Sequence, residues 1–189
     1  PVRQAAYAVY EDGDTRLAGS INAWPEGSYT PRFQDTGLFM RKYSARIGYN
    51  PPPGDQDLNY CNNVRIFRFA EALLNYAELV VIHGQTEVNG LSAQSCLDRI
   101  RKRAFGTDNS IPATAENIKL ERRREFLGEG MRFWDIVRWG DTSLLNDNDV
   151  AHNSVRTWSD YMKYLPIPQG ELDKTKGTEY ELEQNTGWN

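Results

Sequence analysis

The residues best suited to chemistry are concentrated between Glu121 and Gly140, where acidic residues alternate with arginines and aromatic rings. Two carboxyl groups facing a cleft can divide the proton-donor and nucleophile roles of a glycosidase. A catalytic acid needs a raised pKa, however, and neighbouring arginines lower it. The spacing therefore favours a structural ion-pair network over acid–base catalysis. The pairs expected to be most buried are Glu129 with Arg132 and Asp135 with Arg138.

Two glycines divide this acidic and basic stretch into two predicted helices. Gly128 and Gly130 weaken helical structure between them, so we expect helices over about 115–128 and 131–139 that meet at a tight turn. Thr114 is the expected N-cap of the first helix.

An earlier pair of helices is predicted from apolar residues at helical spacing. The first extends from a cap at Asn62 or Asn63 to Gly84, and the second from Ser92 to Gly106. Because the linker between them is short, we predict an antiparallel pair of tetratricopeptide type.

The flanking regions show little helical periodicity. Residues Ala5–Tyr10 and Phe39–Tyr43 are predicted as short strands, and the polar segment Asp141–Ser154 as a loop. Tyr164–Ile167 is predicted as a short edge strand. The tail from residue 171 onward is expected to be irregular, with Trp188 as its anchor.

Aromatic residues in the loop-rich first third are candidates for ligand binding. A flat ring can stack on the apolar C–H face of a sugar, while a guanidinium group donates hydrogen bonds to hydroxyls. The predicted binding residues are Trp24, Tyr29, Arg32, Tyr49 and Tyr60. The alternative is that these rings cover the irregular half of the core.

Four motifs occur in a fixed order over roughly residues 60–189. They are Arg68–Glu78, with Ala-Glu at its end; Ile100–Ala104; Glu121–Gly140, with its Glu-Gly-x-Arg segment; and Tyr164–Pro168 followed by Gln184–Trp188. Together they resemble the SusD/RagB family, the surface nutrient-binding lipoproteins of Bacteroidetes. The sequence departs from the family pattern at Asp98, where asparagine is usual, and at Thr186, where proline is usual.

The resemblance implies a SusD-like fold that is mainly α, with tetratricopeptide-like helix pairs, an irregular loop-rich portion and a few short strands. It also implies a non-catalytic protein of the outer-membrane surface, without a cofactor, that passes an oligosaccharide or other nutrient to a SusC-like TonB-dependent transporter. The chain begins at Pro1 without a methionine or signal peptide. By the resemblance, we expect the lipid anchor and most of the helical-repeat part to lie upstream.

Length and composition set further bounds. The 189 residues suggest a single domain, with a loop-rich part (1–62), a helical part (63–140) and an irregular part (141–189). The net charge of −4 argues against a nucleic-acid partner. Two cysteines, Cys61 and Cys96, permit one disulfide at most, and no metal-ligand spacing is present.

Two other functions are compatible with parts of the sequence. The helix pair alone would suit a tetratricopeptide-like protein-interaction module. A glycoside hydrolase would need carboxylates that are free of arginine, and the candidates are Asp55 with Asp57 or Asp147 with Asp149. No nucleophile, base and orienting residue can be assembled from the sequence, which favours the binding function.

Overall fold

The computed structural model describes residues 1–44, 63, 65–152 and 154–188. The chain divides into two compact units, Pro1–Arg132 and Phe133–Asn189. The single domain expected from the length stays a prediction.

The first unit contains five helices and a two-stranded antiparallel sheet within its described residues. The elements are α1 (Gln4–Tyr7), α2 (Thr15–Ser20), β1 (Ile21–Ala23), β2 (Leu38–Met40), α3 (Phe69–Val81), α4 (Ala93–Phe105) and α5 (Ala115–Glu125). A further helix, α6 (Met131–Trp139), begins at the end of this unit and continues into the second.

The predicted strand at Ala5–Tyr10 is wrong, because this segment begins with the short helix α1. The amides of Ala6 and Tyr7 both donate to the carbonyl of Arg3, which closes a helical turn. The predicted strand at Phe39–Tyr43 begins one residue earlier and ends at Met40.

Helices α3 and α4 pack together around the larger core, as the predicted helix pair requires. Its most deeply buried members come from α3, α4 and α5: Leu74, Ala77, Cys96, Leu97, Ile100 and Ile118. Cys96 is a free, buried thiol, and Cys61 lies outside the described residues.

Local capping fixes where α4 and α5 begin. Ser92 accepts a hydrogen bond from the amide of Ser95 and forms a reciprocal capping box with it. Thr114 accepts from the amide of Asn117 at 3.2 Å. The prediction for α3 was wrong by about six residues, since the helix begins after Arg68, which makes no side-chain cap.

A smaller core lies beneath the β1–β2 hairpin. Ile21, Leu38 and Val2 are buried there, with Met40 and Leu127 packed against them. Because side chains alternate between the two faces of a strand, Phe39 lies on the face opposite to Leu38 and Met40.

Apart from α6, the described residues of the second unit form short elements. Strands β3 (Asp147–Asp149) and β4 (Ser154–Arg156) pair antiparallel, so the loop predicted for 141–154 is wrong in part. Three 3₁₀ turns occupy 142–145, 150–152 and 160–163. Helix α7 extends over Gln169–Thr175 and so into the tail that was expected to be irregular from residue 171 onward.

The segment Tyr164–Ile167, predicted as a strand, has no ladder partner among the described residues. It is held by side chains instead: Gln184 accepts from the amide of Ile167 at 2.8 Å and donates to its carbonyl at 2.9 Å. Trp188 donates to the carbonyl of Tyr164 and packs edge-on against Tyr161, with ring centroids 5.1 Å apart. Trp188 is therefore the anchor that the sequence predicted.

Within the described part of the chain, no helix is long and apolar enough to cross a membrane.

Candidate functional site

Three aromatic rings form a cluster on the β1–β2 hairpin, and we call them the aromatic platform: Trp24, Tyr29 and Phe39. The Phe39 ring centroid lies 5.2 Å from that of Trp24 and 5.2 Å from that of Tyr29, and the Trp24 and Tyr29 centroids are 6.0 Å apart. Trp24 remains 50% exposed. The cluster therefore presents an aromatic surface to solvent that is supported from behind by other rings.

The conformation of the hairpin loop brings these rings together. The amide of Trp24 donates to the carbonyl of Gly37 at 2.8 Å, directly beyond the last β1–β2 pair. Gly37 has a φ of +75°, and a Cβ there would lie 3.2 Å from the Trp24 carbonyl oxygen and 3.5 Å from the Tyr29 hydroxyl. A glycine at this position thus permits both the turn and the close approach of the two aromatic residues.

The structure brings two of the predicted binding residues, Trp24 and Tyr29, into contact. Arg32 lies in the same loop and is exposed, and its backbone forms a turn with Asp35: the Arg32 amide donates to Oδ2 at 2.8 Å. Tyr49 and Tyr60 lie outside the described residues.

Phe39 belongs to the platform but was absent from the predicted binding residues. The alternation of Leu38, Phe39 and Met40 in a short strand could have identified it, since its ring must point away from its two apolar neighbours.

Beneath the hairpin lies a buried ionic cluster built on three acidic residues of α5 and the turn after it, which we call the carboxylate row: Glu121, Glu125 and Glu129. Glu121 is 0% exposed. Its Oε2 accepts from Arg101 at 3.1 Å and from Arg124 at 3.3 Å. Nη1 of Arg16 lies 2.7 Å from the other oxygen, Oε1, but is not aligned for a hydrogen bond, so this is a contact between charges.

Glu125, like Glu121, contacts three arginines. It accepts hydrogen bonds from Arg16 at 2.9 Å, from Arg103 at 2.6 Å and from Arg68. Burial by itself would raise the pKa of Glu125, but the hydrogen bonds and positive charges of Arg103 and Arg68 outweigh it and lower the pKa to about 2.

Glu129 is held by cations that are distant in sequence. Arg68 donates to both of its carboxylate oxygens at 2.8 Å, and Lys42 donates to one of them. These contacts outweigh burial and lower the pKa of Glu129. The sequence pointed to Arg132, three residues away, as the partner. The pairing of Glu129 with Arg132 stays a prediction, while spacing along a helix could not have revealed the cations that other segments bring to Glu129.

In the second unit, Asp135 and Arg138 form an ion pair at 2.8 Å. Only the carboxylate is buried, because the Arg138 side chain is 40% exposed and lies over the ring of Trp139 at 4.7 Å. The burial expected for this pair therefore applies to one of its members.

These contacts argue against an acid–base role for the carboxylate row. Contacts with arginine and lysine lower the pKa of Glu125 and of Glu129, whereas a proton donor requires a raised pKa. Asp147 and Asp149, expected to be unpaired, contact Arg156 at 3.7 Å and His152 at 2.8 Å respectively. Asp55 and Asp57 lie outside the described residues.

The second unit carries aromatic rings of its own. Phe133 packs edge-on against Trp134 and Trp158, with centroid distances of 5.1 and 6.1 Å. Trp134 is 51% exposed, which matches the exposure of Trp24.

Comparison with known proteins shows what this chain is similar to. The profile of the SusD family matches residues 9–188. The starch-binding protein SusD of Bacteroides thetaiotaomicron is 31% identical over 130 residues, which cover 67% of this chain and 22% of that protein.

Two solved structures are similar over nearly the whole chain. Surface glycan-binding protein A from Bacteroides fluxus is 64% identical, with a TM-score of 0.93 over 100% of this chain and 40% of that one. Surface glycan-binding protein A from Bacteroides thetaiotaomicron in complex with laminarihexaose is 39% identical, with a TM-score of 0.83 over 98% of this chain and 41% of that one. This chain thus spans well under half the length of these relatives. The matches confirm the predicted SusD-like, mainly α fold.

Proposed function

This chain belongs to the SusD family, and from that premise we propose that it contributes a binding surface for an oligosaccharide to a non-catalytic, cell-surface nutrient-binding protein. The observation that carries the proposal is the aromatic platform, with Trp24 half-exposed above Phe39 and beside Tyr29. A ring that is exposed on one side and fixed on the other can stack on a sugar without losing much conformational freedom.

The similarity to a structure that contains laminarihexaose suggests the ligand to test first. That protein is 39% identical to this chain over nearly all of its residues. Laminarihexaose is therefore the first probe, and maltohexaose is the second because another relative is named a starch-binding protein.

Capture without cleavage is supported by the state of the carboxylate row. Glu125, with its pKa lowered to about 2, is ionised at neutral pH and cannot donate a proton to a glycosidic oxygen. Because the carboxylates of the row are already held in ion pairs, the protein is suited to bind a sugar and release it without cleavage.

Titration calorimetry with laminarihexaose, with reducing-sugar release followed in the same samples, tests the proposal. We expect saturable binding without product, and a loss of affinity of roughly tenfold or more in Trp24→Ala, as is common when a central aromatic contact is removed. Trp134→Ala is the matched control, since it removes an equally exposed tryptophan from the other unit. Equal losses in the two variants, or release of product, would contradict the proposal.

We further propose that the captured sugar is passed to a SusC-like TonB-dependent transporter at the outer membrane. The family membership supports this partnership. Co-purification of the transporter with the tagged protein from detergent-solubilised membranes would test it. Complete separation of the two under mild detergent conditions would count against it.

A further inference from the structure

Both ends of the hairpin that carries the aromatic platform are attached to the carboxylate row. Arg16 lies in α2, which runs directly into β1, and Lys42 follows the end of β2 by two residues. Each of these cations reaches a carboxylate at or beyond the C-terminal end of α5.

On the β2 side, Lys42 makes two contacts. Its ammonium group donates to the backbone carbonyl of Glu125 at 2.8 Å and to the carboxylate of Glu129. The Lys42 side chain is only 19% exposed, so water competes weakly for these contacts.

On the β1 side, Arg16 donates to Glu125 at 2.9 Å. Its other two guanidinium nitrogens donate to the carboxylate of Asp14, the N-cap of α2. Between Arg16 and Lys42, the amide of Arg41 donates to the carbonyl of Ser20 at 2.8 Å. This hydrogen bond extends the pairing of β1 and β2 toward these two cations.

Apolar contacts define how closely the hairpin sits on the turn after α5. A Cβ built at Gly128 would lie 2.8 Å from the Met40 side chain, and Leu127 packs against the same small core as Met40. Met40 is adjacent to Phe39 and points to the other face of the strand. A movement of this end of β2 would therefore also move a ring of the platform.

We propose that Lys42 is a positioning residue for oligosaccharide binding, which fixes the β2 end of the hairpin on Glu129 and so keeps Phe39 beneath Trp24 and Tyr29. This inference rests on the proposed function. The ammonium group of Lys42 is engaged with Glu125 and Glu129, so the role we assign to Lys42 is to position the platform and not to contact the sugar.

Lys42 is suited to this role because its removal leaves the rest of the cluster paired. Arg68 continues to donate to both oxygens of Glu129, so the carboxylate keeps a cationic partner. Lys42→Met retains most of the length and apolar character of the side chain and removes the ammonium group, with its charge and its two hydrogen bonds. We therefore expect the variant to keep its fold while the hairpin becomes more mobile.

The test combines a measurement without ligand and one with ligand. Amide hydrogen exchange is followed at Trp24 and Arg41, whose N–H groups donate to Gly37 and Ser20, and at Ile100 in the core of α4. In Lys42→Met we expect exchange at the first two amides to accelerate by roughly tenfold or more, with exchange at Ile100 unchanged.

Binding of laminarihexaose is then measured for the same variants. We expect Lys42→Met to lose roughly tenfold in affinity, because a less fixed platform must be ordered when the sugar binds. Lys42→Arg, which retains the charge, should recover most of the loss. Lys102→Met is the control, since Lys102 is an exposed lysine that pairs with the exposed Asp108, at 2.9 Å, and not with the carboxylate row.

The outcomes separate the two proposals. Unchanged exchange at Trp24 and Arg41 in Lys42→Met overturns the positioning role, and so does faster exchange with unchanged affinity. A wild-type protein that binds neither laminarihexaose nor maltohexaose contradicts the proposed function, while the exchange data still decide whether Lys42 restrains the hairpin.

Discussion

Nη1 of Arg16 lies 2.9 Å from Oε2 of Glu125, although the two residues are 109 positions apart in the sequence. The same guanidinium group donates to both oxygens of Asp14, which caps α2 through the amide of Arg16. One side chain thus joins the start of α2 to the end of α5. Because the carboxylates of Asp14 and Glu125 are almost completely buried, each depends on its cation.

Replacing Arg16 with methionine should strongly destabilise the first unit. The substitution would leave Asp14 without its bidentate partner and remove one of the cations on Glu125, which should cost on the order of 3–5 kcal/mol. The measurement is the urea midpoint of unfolding. Arg103→Met is the matched control, because Arg103 also pairs with Glu125 but is 55% exposed, and it should cost about 1 kcal/mol or less. Equal shifts for the two variants would show that burial does not determine the contribution of these pairs.

The stability of the protein should fall in acid because of Glu125. Its pKa in the folded protein is about 2, below the ordinary value of 4.5, so the folded state favours the ionised form. This contribution is fully present above pH 4.5 and is lost as the pH falls toward 2; its size is on the order of 3 kcal/mol. Glu129, with its pKa also lowered, adds a loss of the same sign.

Urea unfolding between pH 2 and pH 7 checks this dependence. Glu125→Gln removes the titrating group, so its stability should vary less over the same range while being lower at neutral pH. A variant with the same slope below pH 4.5 as the wild type would show that other groups dominate the acid response.

The two glycines of the turn after α5 should differ in their tolerance of a side chain. Gly128 and Gly130 have φ values of +78° and +80°, so alanine at either position should cost about 1–2 kcal/mol of backbone strain. Only at Gly128 does the added Cβ meet a neighbour, the Met40 side chain at 2.8 Å. Gly128→Ala should therefore destabilise the protein more than Gly130→Ala.

A double-mutant cycle identifies the source of that difference. Shortening Met40 to alanine should remove the excess cost of Gly128→Ala, because the space that the new Cβ needs is then free. Additive effects of the two substitutions would contradict the contact as the cause.

Local features of this fold could be read from the sequence because they depend on residues three or four positions apart. Ser92 and Thr114 cap their helices through amides three residues ahead, and Gly106 ends α4. The same local reasoning failed at Arg68. A cap was expected further upstream, and α3 instead begins directly after Arg68, whose side chain extends to the end of α5.

Partners from other segments could not be identified in this way. The spacing of Glu129 and Arg132 satisfies the rule for neighbours on a helix, but it carries no information about Lys42 or Arg68, which the hairpin and α3 bring to Glu129. The aromatic platform shows the same limit, because residue types identified Trp24 and Tyr29 as candidates while Phe39 joins them through strand pairing opposite Asn22.

The C-terminal tail should depend on Gln184 for its attachment. The amide side chain of Gln184 makes two hydrogen bonds to the backbone of Ile167, at 2.8 and 2.9 Å, in a segment that has no strand partner among the described residues. Removing both in Gln184→Ala should weaken this attachment by about 1–2 kcal/mol. We expect faster cleavage of the tail in limited proteolysis and faster exchange of the Ile167 amide. Gln169→Ala is the control, since Gln169 makes a single exposed hydrogen bond to Asp173 at 2.9 Å within α7. If both variants are cleaved at the wild-type rate, the tail is held instead by Asn185, which donates to the carbonyl of Leu165 at 2.7 Å, and by the contacts of Trp188 with Tyr161 and Tyr164.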